Sequence, residues 1–115
     1  MATRTRAPRR AAPIDEAAAR DLDLYAENTG ALYAQHMAII EAMKRKIKSG
    51  KYSATLAPKA WMYWYEAAAK SYAREFGTPG ASGEWSRMFP KSLREHLSAA
   101  RARDEYKAIL SGEYN

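Results

Sequence analysis

Cysteine and valine are both missing from the chain. Without cysteine there are no disulfides, thiolate zinc sites or thiol nucleophiles, which agrees with a reducing compartment. Without valine, with sparse threonine and with no alternating apolar stretch, strands have little support. Histidine occurs only at His36 and His96, and neither opens an H-E-x-x-H pattern, so no metal site is expected. No apolar run approaches the roughly 18 residues that span a bilayer. After Arg10 comes Ala-Ala-Pro-Ile-Asp-Glu rather than the apolar core of a secretory signal, and Pro8, Pro13, Asp15 and Glu16 disfavour an amphipathic presequence. The expectation is a soluble, cytoplasmic chain with no membrane partner.

What is present is helix-forming and unevenly charged. The 115 residues suit one domain, and 47% apolar with 28% charged residues is a globular composition. The formal net charge is +6, but Arg4, Arg6, Arg9 and Arg10 supply four of those charges within residues 1–14, which hold no acid. The basic pI therefore describes an arm on a nearly neutral body, residues 15–112. Such arms are drawn to polyanions and also serve as solubilising tails; the sequence leaves both open.

Apolar spacing predicts an all-α bundle of about four helices, near 15–28, 31–49, 54–76 and 88–111, behind a flexible arm. The first helix starts after Asp15 and carries Ala18, Leu22 and Tyr25; its outer face is acidic. The second carries Leu32, His36, Ile39, Ile40, Met43 and Ile47 and ends at Ser49-Gly50, where glycine can take the left-handed conformation. The third has Pro58 in its first turn and a stripe of Trp61, Trp64, Ala68, Tyr72 and Phe76, with Tyr65 and Ala69 beside it. The glycine-rich segment from Gly77 to Gly83 is a linker, after which Pro90 opens the last helix. That helix is thinly apolar in its middle and is expected to pack more firmly at its ends than at Arg101–Asp104. The first three helices are expected to be antiparallel neighbours, crossed by the last.

Three constellations carry possible chemistry. Lys44, Arg45, Lys46, Lys48 and Lys51 form a run without acids, which could grip phosphates or simply complement the end of a helix dipole. Trp61-Met62-Tyr63-Trp64-Tyr65 is dense in aromatics, but consecutive helical residues point all round the axis. Trp61 and Trp64 belong to the core stripe, and Met62, Tyr63 and Tyr65 are the candidates for a surface. His36 reads as a hydrogen-bonded core histidine. Gly77, Gly80 and Gly83 lack the strand and lysine of a phosphate loop. No serine elbow, metal set or carboxylate pair supports catalysis, and no cofactor or small-molecule substrate is implied. A helix-turn-helix is disfavoured, because the helix after the short turn Ser49–Ser53 presents tryptophan, methionine and tyrosine.

From Leu32 to about Leu97 the chain resembles a family of small uncharacterised proteins of tailed bacteriophages. The likeness lies in Leu32-Tyr-x-Gln-His36, the basic segment Lys44 to Tyr52, Leu56-Ala57-x-Lys59 and the aromatic Trp61–Tyr65. It continues through Ala68-Ala69-Lys70-x-Tyr72-x-x-Glu75-Phe76 and Phe89-x-Lys-x-x-Arg94. The resemblance implies a phage-encoded protein in the cytoplasm of the infected cell and transfers no functional residue. The leading expectation is a non-enzymatic accessory protein that binds nucleic acid through phosphate contacts without strong sequence preference. Arg4, Arg6, Arg9, Arg10, Lys44, Arg45, Lys46, Lys48 and Lys51 would carry it. The alternative is a helical module that engages a host or phage protein through Met62, Tyr63 and Tyr65. Self-association stays open.

Overall fold

The computed structural model describes residues 14–77 and 84–114, and every regular element among them is helical. Helices α1 (Glu16–Asn28), α2 (Gly30–Lys48), α3 (Ala57–Phe76) and α5 (Lys91–Leu110) are long; α4 (Trp85–Met88) is a single turn. The chain is therefore all-α. Arg4, Arg6, Arg9 and Arg10, and the linker residues 78–83, lie outside the described residues.

Each boundary has a local cause. Asp15 caps α1 by accepting a 3.0 Å bond from the Ala18 amide. Thr29 sits in extended backbone and donates its hydroxyl to the Tyr25 carbonyl, so α1 stops and α2 starts one residue later. Gly50, at φ 77°, closes α2, with the Gly50 amide on the Ile47 carbonyl and the Lys51 amide on that of Lys46. The third helix starts later than its apolar spacing indicates. Residues 54–56 form a turn held by the Ser53 hydroxyl, which accepts from the Leu56 amide, and Pro58 then falls in the first helical turn. Pro90 is not the first residue of the last helix but its N-cap. The backbone turns at the buried Phe89 and leaves α4 as a separate turn.

Helix α3 occupies the centre and touches every other helix, because its small residues allow close approach on several sides. Trp61, Trp64, Tyr65, Ala68 and Ala69 are all buried there, against Leu22 and Ala26 of α1, Ile40 of α2 and Leu93 of α5. Trp64 donates its indole N–H to the Leu32 carbonyl at 2.7 Å, which fixes α3 against the start of α2. Phe76, assigned to the core stripe by spacing, is 60% exposed at the end of α3. Trp85, on the short turn, is covered by two cations, Arg94 at 4.8 Å and Lys70 at 5.1 Å from its ring centre.

The expectation for α5 fails at its middle. Arg101 is the most connected side chain there, bonding Tyr65, Asp23, Glu27 and Glu105, while its guanidinium faces the Trp64 ring at 5.0 Å. A thin apolar pattern does not mean thin packing when the contact is polar. The Tyr114 hydroxyl donates to Glu105 at 2.6 Å and draws the last turn of the chain into the same network. Burial pushes the Tyr65 phenol well above its ordinary range.

A candidate nucleic-acid interface beside helix α2

The basic run occupies the last turn of α2 and the connector that follows. Cations are favoured in this position because the final carbonyls of a helix present partial negative charge. Arg45, Lys46, Lys48 and Lys51 are exposed, and none forms an ion pair among the described residues. Lys44 differs from them. It is half-buried, lies 3.4 Å from Glu41, and donates to the Tyr114 carbonyl at 3.0 Å, so it joins α2 to the C-terminal turn.

The acidic face of α1 does not neutralise the run. Asp23 and Glu27 pair with Arg101 at 3.3 and 2.6 Å instead. Their carboxylates are thus committed to the α1–α3–α5 junction, and four neighbouring cations remain facing solvent.

Between α2 and α3 lies a groove of about 530 Å³, lined by Ile39, Ala42 and Met43 on one side and Leu56, Ala60 and Tyr63 on the other. The exposed Lys46, Lys51 and Lys59 also line it, and no acidic side chain does. Leu56 and Tyr63 are 59% and 72% exposed. Spacing gives part of this in retrospect: Ile39, Ala42 and Lys46 share one helix face, as do Lys59 and Tyr63 one turn apart on α3. That the two faces meet is a tertiary fact. Tyr52 borders the groove as well and stacks on Tyr106 at 4.5 Å, which ties the connector to α5.

The aromatic surface expected at Met62, Tyr63 and Tyr65 does not form. Tyr65 is 1% exposed, donating its hydroxyl to Asp23 and accepting from Arg101 Nε at 2.7 Å, and Met62 is half-buried with its sulfur 3.5 Å from the Ser98 hydroxyl. Residues 63 and 65 are two apart on a helix and diverge by about 200°, so one is outside when the other is inside. Only Tyr63 reaches solvent freely.

His36 is buried, stacked on Tyr33 and set edge-on to Trp61, with Nε2 3.6 Å from Glu105. Burial lowers its pKa below the ordinary histidine value; Arg101 adds to this, and Glu105 and Glu27 oppose it. No group of three or more histidine, aspartate or glutamate side chains among the described residues is placed to hold a metal ion. No described helix is long and apolar enough to cross a membrane.

Comparison with known proteins returns no matching family model, no similar curated protein and no similar solved structure.

Proposed function

We propose that this chain is a non-enzymatic accessory protein that binds nucleic acid through backbone phosphates, without strong sequence preference. One observation carries the reading: Arg45, Lys46, Lys48 and Lys51 are adjacent, exposed and unpaired among the described residues. A run of exposed, unneutralised cations is what a polyanion binds, and releasing its condensed counterions drives the association. Arg4, Arg6, Arg9 and Arg10 would extend the contact along the backbone. The resemblance to small proteins of tailed phages supplies the setting, the cytoplasm of an infected bacterium. The rival reading, a partner protein held on Met62, Tyr63 and Tyr65, loses its surface because Tyr65 belongs to the core.

Fluorescence anisotropy with short labelled duplex DNA, single-stranded DNA and RNA tests the proposal, at about 50 and 200 mM salt. The full chain is compared with one beginning at Pro13 and with the double variant Arg45→Glu, Lys48→Glu. Salt-steep binding that weakens in both altered chains is the expected result. No binding at low salt would refute the reading.

A further inference from the structure

The groove between α2 and α3 narrows the nucleic-acid reading, on which this inference rests. It shares Lys46 and Lys51 with the basic run, and Lys59 adds a third ammonium from α3. Apart from Tyr52, which stacks on Tyr106, its walls are otherwise small or aliphatic, and Tyr63 stands beside them with its ring largely in solvent.

A duplex could use only the lysines. Its phosphates and sugars line the outside and its bases are paired and stacked, showing only their edges in the grooves, so it has no free base face to place in a space of about 530 Å³. A single strand offers flat unpaired bases with apolar faces, bracketed by phosphates, and proteins that hold such strands combine a cationic groove with an aromatic stacking surface. That combination is present here. We propose that the groove is a single-strand binding site, in which Lys46, Lys51 and Lys59 take phosphates and the Tyr63 ring takes the face of an unpaired base.

Charge selects this occupant over others. No acidic side chain lines the groove, so a polyanion meets no repulsion in it. The arginines of residues 1–14 carry the same sign as the lining lysines, which makes the chain's own N-terminal segment a poor occupant. The lining offers few polar groups to read base edges, so the site tolerates different sequences.

The test uses the full chain with a short labelled oligothymidylate, an RNA of equal length and a duplex of equal length. Affinities are measured by anisotropy, and the methionine methyl groups are followed by NMR. Single strands are expected to bind at least tenfold more tightly than the duplex. Tyr63→Ala should weaken single-strand binding about fivefold or more and leave duplex binding unchanged, while Tyr63→Phe keeps the ring and the affinity. Ala60→Trp, which fills the groove, should reproduce the loss. Ring currents from an inserted base should move the Met43 methyl, which lines the groove, and leave that of Met88 in place.

Equal affinity for single strand and duplex, with Tyr63→Ala neutral, overturns this inference and leaves the phosphate-binding reading standing. Absence of binding by all three oligonucleotides at low salt overturns both. A Met43 shift caused by a synthetic acidic Leu/Glu amphipathic helix, and by no oligonucleotide, overturns it in favour of a docked protein.

Discussion

Arg101 Nη2 donates a 2.6 Å charge-assisted bond to Glu27, joining helices α5 and α1 across 74 residues of sequence. The same guanidinium bonds Tyr65, Asp23 and Glu105, so one side chain holds three helices together. Replacing it with alanine leaves a buried phenol and three carboxylates, Asp23, Glu27 and Glu105, without their cation. The expected loss is about 3 kcal/mol, in the range for removing one partner of a buried pair. Glu27→Ala should cost about 1 kcal/mol or less, because Glu27 is exposed to water and screened. Urea unfolding of both variants checks this, and equal losses would argue against Arg101 as the hub.

His36 gives a pH dependence with a defined sign. Its pKa is lowered in the folded chain, so the unfolded chain binds the proton more readily. Stability from neutral His36 is therefore complete above the ordinary value of 6.5 and declines as pH falls below it, toward the lowered folded value. Urea midpoints at about pH 7.5 and 5.5 should differ more in the native chain than in His36→Leu. An identical pH response in the two chains would refute the assignment.

Lys44 and its neighbours should separate in experiment. Lys44→Gln removes the bond to the Tyr114 carbonyl and should cost about 0.5–1.5 kcal/mol of stability with little effect on oligonucleotide binding. Arg45→Gln and Lys48→Gln should stay within about 0.5 kcal/mol of native stability and weaken binding. Each loss should also flatten the dependence of binding on salt by roughly one neutralised phosphate. Thermal melts and anisotropy on the same three proteins decide between the roles.

The two core tryptophans differ in one bond. Trp64 Nε1 donates to the Leu32 carbonyl, whereas Trp61 Nε1 has no hydrogen-bond partner among the described residues. Both rings are buried, so phenylalanine at either site loses similar volume. Trp64→Phe should then be about 1 kcal/mol more destabilising than Trp61→Phe, the net worth of one buried hydrogen bond. Denaturant midpoints that reverse this order would count against it.

Helix content, the Asp15 cap, the glycine stop at Gly50 and the core stripe of α2 follow from the residues themselves. Capping, left-handed backbone and one-turn apolar spacing act within a few residues, so they are legible in a linear pattern. The basic run at Lys44–Lys51 was legible for the same reason. Tertiary structure alone decided which of its cations are free: Lys44 is taken by the C-terminal turn, and Asp23 and Glu27 of α1 are taken by Arg101. It also decided that Tyr65 faces inward and Tyr63 outward, since the neighbouring helices cover Tyr65 and local spacing does not say which face they cover. The Arg101 network and the α2–α3 groove join side chains brought together only by packing. Charge pairing and surface shape depend on distance in space, whereas helix propensity depends on distance along the chain.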